Sequence, residues 1–306
     1  FLDFSHDEYT NLKKSIIHFY EKKFNNIKSI QLIENKRNNF LVSNISKIFY
    51  IIKIFNKVTT NFVICADCFL CFLVLVINFF SFNKRKIIFQ ITDYSIKRFD
   101  NKILNFFYKL IFQFSYKFAD YITCPSMKII NYFYKRENVF FVPNSPSEIR
   151  KIDIKNNKIP NAILTLVKID EGTNWKLIYK TLKKLKIKHP NFKLFITGNF
   201  DDLFAKKLIK KFELSNLNNV TFLGYLSKNA LRKIYDTCSF GLTAYRNSSR
   251  HNYSAFGDSI KIREYGDSGL IILTEGLYFN SLDVRNYNIG KVYKNSSDLV
   301  KIITTF

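Results

Sequence analysis

The chain has 306 residues, of which 47% are hydrophobic, and only nine are Gly and five Pro. This composition excludes a disordered or collagen-like chain and leaves enough apolar material for two domains of about 150 residues each. The net charge of +24 is spread over both halves, which leaves two explanations: the compositional bias of an AT-rich genome, or attraction to an anionic surface such as a membrane.

The cysteine content bears on the compartment. Five cysteines without a paired spacing pattern favour a reducing compartment over a disulfide scaffold. The start of the chain shows no charged n-region, apolar h-region and cleavage site. We therefore predict a cytoplasmic protein, with peripheral contact to the inner face of the cytoplasmic membrane as an option.

The chain begins with alternating helical and extended patterns. "NLKKSIIHFYEKKF" (11–24) predicts an amphipathic helix, "IKSIQLI" (27–33) a strand and "SNISKIFYIIKIFNK" (43–57) a second helix.

The next stretch, "NFVICADCFLCFLVLVINFFSFNKRK" (61–86), permits three interpretations. A membrane span requires about 20 apolar residues, but only ten run uninterrupted between Asp67 and Asn78. A metal or iron–sulfur site could use Cys65, Cys68 and Cys71, although Cys is often buried without any ligand role. The interpretation that fits the surrounding alternation is a buried strand followed by a buried helix.

The remainder of the first half continues the alternation, with strands at 84–93, 121–126 and 138–146 and a long helix at 101–120. Asp67 and Asp93 end two of the strands, where they could bind an acceptor's hydroxyl groups or act as acid and base. For Asp67, capping of the following helix is an equally good explanation.

The long helix carries lysines at 102, 109 and 117 among six apolar residues. Such a helix suits docking on an anionic membrane, or it is an ordinary core helix whose lysines reach solvent. The apolar residues are Phe106, Phe107, Leu110, Ile111, Phe114 and Phe118.

Pro143, Asn144 and Pro146 mark a break, so we predict domains at 1–148 and 149–306. The second half repeats the strand–helix alternation, with strands at 161–168, 192–198, 220–226, 239–245 and 270–275. Alternation of this length predicts an α/β fold, with two doubly wound, Rossmann-like domains built on parallel sheets.

All nine glycines follow residue 170, so a phosphate site that needs close backbone approach is expected in the second half. Strand ends there deliver Lys168, Gly198, Gly224 and Tyr225. Gly257, Asp258 and Ser259 precede a helix whose first amides would bind an anion. Within that helix, Lys261 and Glu264 lie three residues apart, as suits a diphosphate and a ribose diol, or an ordinary solvated ion pair.

In their order along the chain, several segments resemble the GT-B glycosyltransferases of family 4 (group 1), which act in bacterial surface-polysaccharide pathways. The segments are "FADYITCPSMKIINYF", "VFFVPNSP", "FKLFITG", "NNVTFLGYLSKNALRKIYDTCSFGLTAY" and "SIKIREYGDSGLIILTE". Together they cover roughly residues 60–300.

The resemblance implies that the second domain binds a nucleotide-sugar donor, and that the first binds a glycan or lipid-linked acceptor across a central cleft. It implies transfer with retention, without a metal or cofactor. The candidate catalytic residues are Glu264 and, from its place at a strand end, Asp93. Glu264 would bind the ribose, and Lys168 and Lys261 the diphosphate. The remaining donor contacts would be Gly198, Gly224, Tyr225, Leu226, Gly257, Asp258, Ser259 and Ile260.

The sequence departs from the family pattern at several points. Phe256 stands where the first Glu of a Glu-x7-Glu pair is expected, and Thr92 stands where a His is common. A second phosphate-binding lysine is replaced by Thr173 and Asn174, with Lys176 nearby. The ending "LVKIITTF" is shorter than the family's last helix.

These departures keep open a non-catalytic or truncated relative and a GT-B-fold nucleotide-sugar epimerase. The charge and the 17% aromatic content keep open a basic nucleic-acid-binding protein, although no RNA-binding motif is present, so we predict no nucleic-acid partner. Among the histidines, His251 is the one worth testing.

Overall fold

The computed structural model describes residues 2–6, 15–23, 26–33, 52, 55, 60–92, 94, 98–99, 101–133, 136–146, 158–167, 172–198, 200, 203–246 and 256–306. The chain forms two compact units. The first contains residues 1–92, 98–125 and 129–142, and the second residues 93–97, 126–128 and 143–306. The predicted boundary at 148/149 lies outside the described residues and stays a prediction.

The first unit begins with an antiparallel sheet of β1 (Leu2–His6), β2 (Ser15–Lys23) and β3 (Asn26–Ile33), in that order. The strand predicted at 27–33 is confirmed, but the helix predicted at 11–24 is wrong over β2. β2 pairs on both sides, and its Ile and aromatic residues suit a paired strand, so long-range pairing outweighs the helical spacing. The helix predicted at 43–57 lies outside the described residues except at Ile52 and Phe55, which are both helical.

A second sheet of the first unit is parallel, in the order β4-β5-β6-β7. Its strands are β4 (Phe62–Cys65), β5 (Lys86–Gln90), β6 (Tyr121–Cys124) and β7 (Val139–Phe141). The connecting helices are α1 (Cys68–Phe80), α2 (Lys102–Phe118) and α3 (Met127–Tyr132). The predicted strand–helix alternation is confirmed over this part of the chain.

The stretch 61–86 thus forms a strand and a helix, as predicted. α1 buries Cys68, Cys71 and Val74, but Phe79 and Phe80 near its end are exposed. The predicted buried helix is therefore confirmed along the face that contains Cys68, Cys71 and Val74, while the end of the helix is exposed. Within the described residues, no helix is long and apolar enough to cross a membrane, and no three His, Cys, Asp or Glu side chains are placed to hold a metal ion.

The second unit contains a six-stranded parallel sheet in the order β10-β9-β8-β11-β12-β13. Its strands are β8 (Ile159–Leu166), β9 (Lys193–Thr197), β10 (Val220–Gly224), β11 (Cys238–Leu242), β12 (Ile271–Thr274) and β13 (Gly290–Val292). Its helices are α4 (Trp175–Lys188), α5 (Leu203–Glu213), α6 (Lys228–Thr237), α7 (Ile260–Asp267), α8 (Ser281–Asn286) and α9 (Ser296–Thr305).

Both faces of this sheet are covered. Along β8, Ile163 faces a cluster that includes Trp175, Leu182 and Phe212, whereas Ala162 and Leu164 face the opposite cluster. The alternation is that of a strand with two buried faces, which explains its nearly continuous apolar sequence. The second unit is therefore doubly wound, as predicted.

Candidate functional site

The strand order of the second unit fixes where a ligand can enter. Numbered from β8, the order is 3-2-1-4-5-6, the Rossmann order, and it reverses direction between β8 and β11. In such sheets the ligand crevice lies beyond the carboxyl ends of the strands at this point of reversal. The segments that follow β8, β11 and β12, together with the start of α7, are therefore the candidate site.

α7 is attached to the point of reversal by Tyr265. Its fully buried hydroxyl accepts a hydrogen bond from Leu166 N at 2.9 Å and donates to Leu242 O at 3.3 Å, and so joins the ends of β8 and β11. The ring lies directly on Gly241, where an added Cβ would be 2.3 Å from Tyr265 Cγ. Gly241 therefore permits the close approach that places α7 over the strand ends.

The start of α7 is not capped by its own side chain. Ser259 is the N-cap residue but makes no side-chain capping hydrogen bond, so the amides of Ile260 and Lys261 receive no acceptor from it. The first amides of a helix carry a partial positive charge and bind anions. This end of α7 can therefore accept a phosphate group.

The loop before α7 is held by hydrogen bonds from the segment that precedes α8. Asn280, which is fully buried, accepts a hydrogen bond from Ser259 N at 3.1 Å and donates to Ser259 O at 2.8 Å. Phe279 N donates to Gly257 O at 3.1 Å. The three predicted donor residues Gly257, Asp258 and Ser259 are all buried, so their backbone, rather than a mobile loop, defines the site.

The side chain of Asp258 is engaged inside the protein. Its carboxylate accepts from Asn144 N at 2.7 Å and pairs with Arg263 at 3.1 Å. Burial raises the pKa of the Asp258 carboxyl, while Arg263 and Asn144 oppose that rise. Asp258 therefore offers a ligand its backbone, while its side chain joins Asn144 of the "VPNSP" segment to the start of α7.

Glu264 is partly buried on α7. Its Oε2 accepts a hydrogen bond from the hydroxyl of Tyr235 at 3.0 Å, and Tyr235 itself is buried on α6. This contact leaves the other carboxylate oxygen available to a diol, while the bond to Tyr235 fixes the orientation of the group. Tyr235 orients Glu264 through this hydrogen bond, and it could not be recognised from the sequence because it lies within an ordinary amphipathic helix.

Lys261 lies over an aromatic ring. Its Nζ is 4.9 Å from the centroid of the Tyr245 ring, and that ring meets Tyr278 edge-on at 4.7 Å. The structure thus orders a cation within the first turn of α7, beside the uncapped amides. Lys261 and Glu264 have separate aromatic partners and do not form the simple solvated pair that their spacing also permitted.

Gly198 and Gly224 lie side by side at the ends of β9 and β10. Gly198 N donates to Gly224 O at 3.0 Å, and Gly224 has a φ of +71°, a left-handed conformation that favours glycine. A turn of this kind leads directly into Tyr225, which is exposed, and Leu226, which is half-buried. These two predicted base contacts therefore sit at the strand edge of the site.

Three residues singled out in the sequence, Asp93, Lys168 and His251, lie outside the described residues. Asp67 is described, and it caps α1: its carboxylate accepts from Phe69 N at 2.8 Å and Leu70 N at 3.2 Å. Of its two interpretations, the structure shows the cap.

Sequence reasoning missed Glu275. It directly follows β12, and its carboxylate accepts from Thr243 Oγ1 at 2.8 Å and from Tyr245 N at 3.1 Å. Burial raises its pKa, whereas these hydrogen bonds and the charge of Lys261 oppose the rise. The signal was present, because an acidic residue at the end of an apolar strand had already pointed to Asp67 and Asp93.

Comparison with known proteins is consistent with this geometry. Residues 146–251 match a family model described as Glycosyl transferases group 1, a segment that contains β8 to β11 and ends before α7. Among curated proteins, none matches the chain in sequence.

Several solved structures resemble the chain at low identity. A TarM mutant from S. aureus, in complex with fondaparinux, alpha-GlcNAc-glycerol and UDP, has a TM-score of 0.61 and 15% identity, covering 84% of this chain and 51% of that one. WaaB, a lipopolysaccharide outer core galactosyltransferase in its apo form, has a TM-score of 0.59 and 14% identity, and the match covers 87% of this chain and 72% of that one. HepE from Anabaena, in complex with UDP and glucose, has a TM-score of 0.62 and 13% identity, and the match covers 89% of this chain and 74% of that one.

The two parallel α/β units and these likenesses define a GT-B fold, as predicted. Within that class, the family match confirms the resemblance to group 1 glycosyltransferases. The chain spans about half the length of the TarM chains that it resembles, 51% and 56% in the two structures.

Proposed function

We propose that this protein is a glycosyltransferase that moves a sugar from a nucleotide-sugar donor to a glycan acceptor with retention of configuration. The observation that carries the proposal is the start of α7, where uncapped amides, Lys261 and the oriented Glu264 lie together at the point of reversal of a Rossmann-like sheet. Similar structures that contain UDP support the same class of donor.

In this proposal the donor diphosphate lies at the amino end of α7. The backbone from Gly257 to Ile260 and the ammonium of Lys261 neutralise its charge, with Lys168 added by the family resemblance. Glu264 accepts hydrogen bonds from the ribose hydroxyl groups. The base lies against the edge formed after Gly198 and Gly224, near Tyr225 and Leu226.

Transfer then requires little covalent chemistry from the protein. The bond between the sugar C1 and the phosphate oxygen breaks, and a bond from C1 to the acceptor oxygen forms on the same face. The acceptor's proton passes to the departing phosphate, whose negative charge the start of α7 stabilises. Asp93 is proposed to orient the acceptor hydroxyl, and the proposal involves no metal ion or cofactor.

Calorimetry with UDP and GDP, each with and without an attached sugar, tests the donor site. We expect one nucleotide to bind the wild-type protein and expect Glu264→Ala to lose about tenfold or more in affinity, because the ribose loses a charge-assisted hydrogen bond. Glu213→Gln, an exposed change on α5, is the matched control and should bind as wild type does. Absence of binding by every nucleotide would refute the proposal.

Product analysis separates transfer from epimerisation. With the donor identified by calorimetry, release of free nucleoside diphosphate in the presence of glycan acceptors is expected. Recovery of an isomerised nucleotide sugar, with no released diphosphate, would instead establish an epimerase.

The acceptor is proposed to be lipid-linked and reached at an anionic membrane surface. On α2, Ile103, Phe106, Phe107 and Leu110 are exposed, although the opposite face of the same helix packs into the first unit through Tyr108 and Phe112. Lysines 102, 109 and 117 lie on the same side of α2 as the exposed apolar row. An apolar row accompanied by cations complements a membrane with anionic headgroups.

Flotation with vesicles tests this contact. We expect the protein to float with phosphatidylglycerol-containing vesicles more than with pure phosphatidylcholine, and expect Phe107→Ser to weaken flotation. Leu214→Ser, at an exposed position in the second unit, is the control. Failure to float with either vesicle would remove the membrane contact and leave the donor site unaffected.

A further inference from the structure

Glu275 is a carboxylate that the proposed reaction leaves without a role. It lies at the carboxyl end of β12, next to β11 in the sheet, within the edge of the second unit that faces the start of α7. It does not lie on α7, and although it is the last residue of the segment "SIKIREYGDSGLIILTE", the family resemblance assigns it no contact with the donor. Its two hydrogen bonds both come from the segment that follows β11.

The surroundings of Glu275 hold its carboxyl group in a fixed orientation. Thr243 Oγ1 and Tyr245 N occupy one carboxylate oxygen each, and Tyr293, buried beside it, donates its hydroxyl to Thr243 O at 2.6 Å. A carboxylate removed from water requires such donors and a nearby cation. Lys261 is a cation whose charge acts on this carboxyl, as shown by the direction in which it moves the Glu275 pKa.

Tyr245 connects the two charged groups directly. Its backbone amide is held by Glu275 at 3.1 Å, and its ring lies 4.9 Å from the Lys261 ammonium. Tyr245 is further fixed by an antiparallel bridge to Thr173 and by the edge-on contact with Tyr278. The Tyr245 ring thus has little freedom to move away from Lys261. The electron-rich face of this ring and the charge of the Glu275 carboxylate both attract the Lys261 ammonium.

We propose that Glu275 is a positioning residue for the donor diphosphate, which acts through Tyr245 and by its own charge to hold the Lys261 ammonium beside the uncapped amides of α7. This inference rests on the proposed function, since it concerns the same anion site. A lysine is a flexible point charge that loses rotamer entropy when it is held in one place. Ordering it before the ligand arrives lowers the cost of binding a diphosphate.

The test is a double-mutant cycle measured by calorimetry with UDP, and with uridine as the ligand that lacks phosphates. Lys261→Met is expected to weaken UDP binding about tenfold, and Glu275→Gln about fivefold. If Glu275 acts through Lys261, the double variant will be no weaker than Lys261→Met by itself, because the two changes remove one interaction. Uridine affinity should be the same in all four proteins.

Two further variants keep the result interpretable. Tyr245→Leu removes the ring beneath Lys261 without altering the carboxylate, and it should reproduce the loss seen with Glu275→Gln. Glu213→Gln removes one negative charge at a distance and should leave UDP affinity unchanged. Thermal unfolding of each variant establishes that the fold is retained.

The outcomes distinguish this inference from the function on which it rests. If wild-type protein binds no nucleotide, the proposed function fails and the role of Glu275 fails with it. If wild type binds UDP but Glu275→Gln binds equally well, or if the two losses simply multiply, the positioning role is refuted and the donor site stands. Equal losses for UDP and uridine would also refute it, because they would show a general disturbance of the site.

Discussion

The helices α1 and α7 begin in opposite ways, although both begin at the end of a connection that leaves a parallel sheet. At α1, the carboxylate of Asp67 accepts from two amides, so a negative charge already occupies the site where an anion would bind. At α7, Ser259 provides no side-chain capping hydrogen bond, the Asp258 carboxylate is paired with Arg263, and Lys261 is a cation in the first turn. A side-chain acceptor therefore occupies the helix start described in the first unit, whereas the N-cap side chain leaves the start of α7 without one.

The position of a helix in a doubly wound sheet is therefore not sufficient to make its start a phosphate site. The capping residue decides, because a side-chain acceptor and a ligand oxygen compete for the same amides. A helix that leaves its first amides uncapped forgoes about 1 kcal/mol of stability, and a bound anion restores it.

The largest effect is expected where α7 contacts the sheet. Gly241→Ala would place a methyl group 2.3 Å from Tyr265 Cγ, and the overpacking should lower the free energy of unfolding by about 1–3 kcal/mol. Because Tyr265 positions α7, UDP affinity should fall as well. Urea denaturation and calorimetry measure the two effects.

Gly266→Ala is the matched control for that change. Its added Cβ would lie 3.6 Å from Ile272 Cδ1, an ordinary contact, and the glycine is inside α7. Alanine should therefore stabilise the helix by roughly 0.5–1 kcal/mol. If both variants lose stability equally, crowding at Gly241 is not the cause.

Ser259→Asp should give α7 a carboxylate cap like the one that Asp67 provides to α1. The new carboxylate would accept from the first amides and repel a diphosphate, so UDP affinity should fall by about tenfold or more. Ser296→Asp adds the same charge at the start of α9, which Asn295 already caps, and should bind UDP as wild type does. Unchanged affinity of Ser259→Asp would show that the diphosphate lies elsewhere.

Asp67→Ala should open the start of α1 and lower the free energy of unfolding by about 1 kcal/mol, without an effect on nucleotide affinity. Asp67→Asn preserves an acceptor and should retain most of the stability. Thermal unfolding and calorimetry distinguish these results from a ligand-binding role, in which both variants would weaken binding.

The smallest effect concerns pH and Glu275. Burial raises the pKa of Glu275 in the folded protein, so the folded state holds this proton more tightly than the unfolded chain does. Its contribution to stability is therefore fully present below the ordinary glutamate pKa and declines as the pH rises through the folded-state value. Glu275→Gln removes this titration.

The free energy of unfolding of Glu275→Gln, minus that of wild type, should consequently increase with pH across this interval and become constant above it. Urea denaturation at several pH values measures the difference. A difference that stays constant from acid to neutral pH would show that Glu275 does not titrate with a raised pKa.

Several features of the fold could be predicted because they depend on local pattern. The strands β4, β5 and β8 are apolar runs of the length expected for buried parallel strands. The helices α2, α4 and α5, which connect strands of the two parallel sheets, have apolar residues at helical spacing. The strand β2 could not be predicted in this way. Its spacing also suits a helix, and its pairing with two distant segments decided the outcome.

The candidate site likewise contains features that depend on local sequence and contacts that depend on distant segments. Gly224, Ser259, Lys261 and Glu264 were found from sequence because strand ends and helix starts carry recognisable residue types. The contacts of Tyr235, Asn144 and Tyr265 were not, because each joins segments that are distant in sequence. For Glu275, the position at a strand end could be predicted from the sequence, but its hydrogen-bond partners could not.

The class of fold could be read from hydrophobic periodicity, and the positions of glycine and charge led to the predicted anion site in the second half of the chain and to the residues proposed for its edge. The tertiary structure was needed to show that Asp67 caps α1, whereas Ser259 provides no side-chain cap to α7. It alone brought Glu275, Tyr245 and Lys261 together, since strand order and side-chain contacts depend on how distant segments pack.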